Sequence, residues 1–237
     1  MVLIICSLLG ILPSTIWLLF FLRQDAHPES NRMIIKVFLL GAVAAFYAIV
    51  YELGSDAFLN ILFTEKILFL LKTFIGISLV EEFFKYLVVK KIAITDSEFD
   101  EPLDAMLYMV IVGLGFAAVE NVIYLFPIDT AFNISETISL AVFRFLGATF
   151  LHALSSGIVG FFLALSIWRT RSRLKLITIG LILATLLHGF YNLSIIKIGE
   201  SSSARIYVVL LLLGAGIFIL LAFRKLKKLS SICKIIF

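Results

Sequence analysis

Thiol chemistry has almost no material to work with in this chain. Its two cysteines, Cys6 and Cys233, stand far apart, and neither belongs to a CxxC or Cys/His cluster. A disulfide scaffold and a thiolate metal site are both excluded. Charge is scarce as well: 15% of residues are charged against 62% hydrophobic, and the mean hydropathy is +1.11. That removes the chain from soluble composition and puts it among membrane proteins. The sequence pI is near 9.1, yet no basic stretch interleaves aromatics as a nucleic-acid reader would. The positive balance reflects orientation and contact with anionic lipid, and nucleic acid is excluded as a partner. There is no internal repeat, low-complexity tract or long linker; the longest polar connection is "RQDAHPESNR", residues 23–32. A single membrane domain over 1–237 is the simplest organisation.

What the chain does have is long apolar runs. A bilayer core of about 30 Å takes about 20 apolar residues per helix. Seven runs qualify: 2–22, 34–53, 74–93, 103–126, 138–167, 175–197 and 204–223. The expected fold is all-α, a polytopic bundle of about seven transmembrane helices. The first run has no basic lead-in and no A-x-A-like cleavage site, so it reads as a retained helix. Residues 57–72, "AFLNILFTEKILFLLK", suggest an amphipathic helix at the outer interface, or the start of one long tilted helix. In "FDEPLDAMLYMV", Asp100 or Glu101 precedes Pro102 and Asp104, a pattern that starts a helix sharply.

Lys and Arg collect in alternate connections: Arg23 and Arg32; Lys90 and Lys91; Arg169, Arg171, Arg173 and Lys175; and Arg224, Lys225, Lys227, Lys228 and Lys234. The positive-inside rule then predicts an external N-terminus and a cytoplasmic C-terminus.

Ionisable groups inside the apolar runs are expensive in a bilayer unless paired or hydrated, and so are functional candidates. In "LVEEFFKYLVVKK", residues 79–91, Glu81 and Lys85 share a helix face at i, i+4, while Glu82 is three residues from Lys85. Lys85 can compensate one carboxylate, leaving the other to find a partner elsewhere. The next run contributes Glu120 and Asn121, the fifth Arg144 and His152, and the sixth His188 and Asn192 one turn apart. Counted from the outer ends at 1.5 Å per residue, Glu81, Glu120 and His188 fall roughly 10, 9 and 14 Å deep. The 30-residue fifth run is too long for the core, and if its first turns project outward His152 joins the same layer, with Arg144 at its rim. Singly these residues have plainer readings. Glu81 and Lys85 suit a structural ion pair, Asn121 and Asn192 interhelical hydrogen bonds, Ser155 and Ser156 close packing, and Arg144 an interfacial anchor. Their convergence on one layer favours chemistry.

Two carboxylates and two imidazoles suit activation of water against an amide, with Asn192 and His188 as oxyanion donors. The same groups could hold zinc through His152, His188 and Glu120, the remaining Glu acting as base, although no H-E-x-x-H occurs.

Four ordered motifs, "EEFFK" at 81–85, "FAAVENVIY" at 116–124, His152 in "FLHALSSG" and "HGFYN" at 188–192, together with the lead-in "DEPLDAMLY", resemble those of the PrsW intramembrane proteases, relatives of the CAAX prenyl endopeptidases. The resemblance runs from about residue 74 to 197. It implies that Glu81 and Glu82 form the catalytic pair motif and that Glu120, His152 and His188 complete the site. It also implies an extracytoplasmic first cut in a membrane-anchored anti-sigma factor. The family is classed with metallopeptidases, while its prenyl-processing relatives are thought to use glutamate without metal. Asn192 stands where some members carry an acid, which favours hydrogen bonding over metal ligation there. The expected activity is therefore an intramembrane endopeptidase acting on a membrane-anchored protein near the outer face, with Lys85, Asn121 and Arg144 in support. Its rivals are a proton- or cation-coupled transporter, against which no two-fold repeat or paired broken helices are seen, and a non-catalytic membrane binding protein.

Overall fold

In a bilayer, apolar segments can satisfy their backbone N–H and C=O groups internally as helices. The computed structural model describes residues 1–25, 27–62, 65–126, 132–168, 170–198 and 202–230, and among these no strand occurs. Cys233 and Lys234 lie outside the described residues. The helices are α1 (Val2–Leu22), α2 (Asn31–Leu62), α3 (Glu65–Leu71), α4 (Val80–Val88), α5 (Pro102–Leu125), α6 (Ile134–Arg144), α7 (Phe150–Trp168), α8 (Arg173–Ile196) and α9 (Ser202–Ser230). Three stretches of wider π-helical turns interrupt the ladder: Lys72–Leu79 ahead of α4, Val89–Ala93 after it, and Phe145–Thr149 between α6 and α7.

Among the described residues, six helical stretches are long and apolar enough to cross a membrane, one of them Ile134–Ile167, which joins α6 and α7. The run expected at 74–93 falls within a further helical passage built from α3, α4 and the π segments around α4. The chain is thus an integral multi-pass helical bundle. The stretch 57–72, expected as one interfacial helix or the start of a long one, spans the end of α2 and all of α3, with residues 63 and 64 outside the described residues. Its first residues prolong α2 to Leu62, and Glu65 opens α3.

Helix α5 sits at the centre, with every residue from Pro102 to Ala118 buried. It starts as the sequence suggested. Glu101 is the cap residue, Pro102 follows, and Asp104 Oδ2 accepts from the Glu101 and Asp100 backbone N–H groups at 2.7 and 2.9 Å. The helix packs against α1, α2 and α7. The approach to α2 depends on two glycines: a Cβ on Gly41 would run into the Val112 carbonyl, and one on Gly115 into the Phe38 carbonyl. Because both obstacles are backbone, no rotamer change relieves the clash. Gly115→Leu is expected to cost at least about 1–3 kcal/mol, read as a lower unfolding temperature in detergent micelles.

Polar contacts gather the connections at one end of the bundle. Lys36 pairs with Asp96 at 3.1 Å, His27 lies 2.8 Å from Glu101, Lys227 donates to Gln24 at 3.3 Å, and the Tyr108 hydroxyl donates to Glu29. Most of the basic connections meet at this end. The C-terminal ends of α5 and α8 lie at the other, and the buried ionisable residues are nearer to that one.

Candidate active site

The residues singled out in the sequence reach one place because each is set on a rigid helix that faces its neighbours across the bundle. Glu81, Glu82 and Lys85 come from α4, Glu120 from α5, His152 from α7 and His188 from α8. A π segment lies just upstream of α4 and another just upstream of α7. Such segments turn the residues that follow them relative to an unbroken helix and recur at functional sites. In the first, Ser78 Oγ donates to the Thr73 carbonyl at 2.8 Å, five residues back.

Lys85 is the hub. Its buried ammonium donates to Glu82 Oε1 at 2.8 Å and to Glu81 Oε2 at 3.4 Å, lies 2.8 Å from His152 Nδ1, and sits 4.4 Å from the centre of the Phe116 ring. An ammonium has no lone pair, so His152 Nδ1 must accept and Nε2 carries the proton. That Nε2 lies 2.6 Å from Glu120 Oε2. His188 is held the other way round, its Nδ1 on Glu82 Oε1 at 3.0 Å, so its Nε2 lone pair faces Glu81 Oε2 at 3.9 Å. The two rings cross edge to face at 5.1 Å. Ser155 Oγ, read from sequence as a packing residue, donates to Glu82 Oε1 at 2.9 Å.

Arg144 is no interfacial anchor. It is 8% exposed, and its Nη2 lies 3.1 Å from Glu120 Oε2, its Nε donates to Asn121 Oδ1 at 2.7 Å, and its guanidinium stacks 4.2 Å from the Tyr124 ring centre. Asn121 in turn donates to the Gly10 carbonyl at 3.2 Å and to Thr149 Oγ1 at 2.9 Å. It therefore links α1, α5, the turn before α7 and Arg144, a supporting role. Glu120 remains partly open, its side chain 21% exposed, and its Oε1 has no partner among the described residues.

These groups line a cavity of about 520 Å³ shared by Glu81, Glu120, Arg144, His152, His188, Tyr191 and Asn192. Asn192 makes no hydrogen bond among the described residues and so has a free amide at the wall. Glu52, in the C-terminal half of α2, also lines the cavity. Sequence reading passed over it because it lies at the end of its apolar run, where a carboxylate usually reaches water. Among its more exposed lining residues are the apolar Phe143 on α6 and Ile196 on α8, 46% and 57% exposed.

The donor set can hold a metal ion. Glu81, His152 and His188 are buried, and one donor atom from each lies within 4.8 Å of the others. Two histidines and a carboxylate form a hydrolytic zinc set. The far nitrogen of each ring is engaged by a carboxylate, Glu120 on His152 and Glu82 on His188, as in metal-ligating histidines. Among the described residues here, four acids, Glu52, Glu81, Glu82 and Glu120, outnumber the two permanent cations, Lys85 and Arg144, which suits a divalent cation. This grouping differs from the sequence expectation of His152, His188 and Glu120. Glu81 stands third in this grouping, its Oε2 3.8 Å from His152 Nδ1 and 3.9 Å from His188 Nε2.

Comparison with known proteins covers the stretch of chain that carries these residues. The model of the PrsW family of intramembrane metalloproteases matches residues 29–222. A protease PrsW of Oceanobacillus iheyensis is 32% identical over 185 residues, covering 77% of this chain and 79% of that relative. Those of Geobacillus kaustophilus and Bacillus subtilis are each 29% identical, covering 73% and 77% of this chain and 71% and 79% of theirs. No solved structure matches.

Proposed function

The chain belongs to the PrsW family of intramembrane metalloproteases, and we propose that its own cut falls near the outer face, in a single-span membrane protein such as an anti-sigma factor. It is an intramembrane protease, and its substrate is a membrane protein. The observation that carries the finer reading is the buried Glu81, His152 and His188 set, opening into a cavity whose lining includes the exposed apolar Phe143 and Ile196, in the half of the bundle away from the basic end. By the positive-inside rule that half faces outward, the N-terminus is external and the C-terminus cytoplasmic.

In this reading Glu81, His152 and His188 would hold zinc, which when bound would supply Lewis-acid activation of water and of the scissile carbonyl. Glu120 Oε1 takes the proton from the attacking water and passes it to the leaving amide nitrogen. Arg144 keeps Glu120 in place, and the Glu120 carboxylate fixes the His152 ring through Nε2. The Asn192 amide donates to the developing oxyanion. The chain to be cut enters between Phe143 and Ile196 and displaces water from an otherwise apolar wall, which strengthens each polar contact inside.

The test is cleavage of a tagged single-span substrate by the purified protein in proteoliposomes, with the product termini sequenced. Dialysis against a strong chelator is expected to abolish cleavage and added zinc to restore it. Full activity after chelation, with the metal verified as removed, would overturn the metal reading in favour of Glu81 and His152 activating water alone. A cut on the side of the basic end would overturn the proposed orientation.

A further inference from the structure

We propose that Lys85 and a divalent metal ion are alternative occupants of one coordination direction, the lone pair of His152 Nδ1, so that Lys85 sets how tightly this chain holds its metal. The proposal rests on the reading that Glu81, His152 and His188 are the ligands. Of the two ring nitrogens of His152, Nε2 is committed to Glu120 at 2.6 Å, which leaves Nδ1 as the only one able to reach a metal. That nitrogen is met by the Lys85 ammonium at 2.8 Å. Zinc binds imidazole at about 2.0–2.1 Å, so an ion on the same lone pair would stand where the ammonium now makes its contact. Two cations so close repel strongly in a site shut off from water.

Lys85 does not need His152 to remain buried. It keeps Glu82 Oε1, on its own helix, at 2.8 Å and the Phe116 ring at 4.4 Å. His188 has no such competitor, since its Nε2 faces only the Glu81 carboxylate among the described residues. The three ligands are therefore unequal: His188 is presented ready for an ion, Glu81 Oε2 is held by Lys85 only at 3.4 Å, and His152 is released only as Lys85 withdraws toward Glu82. Metal capture is thereby coupled to a lysine movement within the α4 face, and the ion is held less tightly than its donor set alone would hold it.

The experiment is titration of the full chain in detergent micelles with Zn²⁺, and separately with Co²⁺ followed by visible absorption, at one fixed pH and against a competing chelator. The variants are Lys85→Met, the double variant Lys85→Met/Glu82→Gln, and His188→Ala. The double variant removes a net-neutral pair and keeps an oxygen for His188 Nδ1, so tighter binding in it cannot arise from a change of overall charge. It also serves if the single variant does not fold, folding being checked by circular dichroism and gel filtration. Metal affinity is expected to rise by about tenfold or more in the double variant, and further in Lys85→Met where that folds. His188→Ala is expected to lose the metal. If His188→Ala loses it while affinity in the folded double variant is unchanged or weaker, competition by Lys85 is overturned and the ligand reading stands. If His188→Ala binds as wild type, the ligand reading falls and this proposal with it.

Discussion

Glu120→Gln is expected to slow cleavage by about a hundredfold to ten-thousandfold, the usual contribution of a positioned general base, while bound metal stays at the wild-type level. Glu81→Gln is expected to remove cleavage to a similar or greater extent and to lose the metal as well. The contrast follows from where the two carboxylates stand. Glu81 is buried among the donor atoms of both histidines. Glu120 is partly open to the cavity and holds His152 from the far side of the ring, with Arg144 beside it. Glutamine at 120 still offers an oxygen to His152 Nε2, so ring orientation is kept while proton transfer is lost. Metal analysis and cleavage assay on the same purified samples separate the roles. Loss of metal in Glu120→Gln, or its retention in Glu81→Gln, would reverse the assignment.

The second large effect concerns stability. Lys85→Met alone leaves Glu82, fully buried, without its ammonium partner. Breaking a buried ion pair from one side costs about 3–5 kcal/mol, because the remaining charge stays desolvated. Ser155 Oγ and His188 Nδ1 still donate to the same Glu82 oxygen, but Glu82 Oε2 has no partner even with Lys85 present. Adding Glu82→Gln is expected to recover most of the loss, since the double variant buries no net charge. Denaturant or thermal unfolding in micelles reads both. Equal stability of Lys85→Met and wild type would mean that Glu82 is neutral in the folded protein.

Much of this architecture can be read from the sequence because membranes tax polar groups so heavily. Glu81, Glu120, His152 and His188 stand out among apolar neighbours, and the structure brings all four together. The sharp start of α5 is equally visible, since Glu101, Pro102 and Asp104 each have a local role at a helix N-terminus. What did not show was rotation. Depth estimates assume uniform helical steps, but Lys72–Leu79 and Phe145–Thr149 depart from α-helical geometry just before α4 and α7. The facing of Glu81, and its place in the His152 and His188 set instead of Glu120, could not be obtained from counting. The contacts of Arg144, left between rim anchor and support, and of Ser155, read as close packing, were hidden for a different reason. Their partners, Glu120 and Glu82, lie on other helices, and one residue's spacing along its own helix carries no signal of that. Glu52 was hidden by position, at a run's end where carboxylates ordinarily meet water.

The grouping of Glu81, Glu82 and Lys85 within a single turn of α4 also matters while the chain is being made. This segment must leave the insertion machinery before α7 and α8 exist, so neither histidine is available to the carboxylates at that moment. A lysine three and four residues along the same helix travels with them and offsets part of their charge, lowering the barrier to lateral partition. Had the compensating cation been placed on α7, the segment would enter lipid with two unrelieved acids. The local pair therefore acts first as a passport for the helix, before any neighbour has arrived to make use of it.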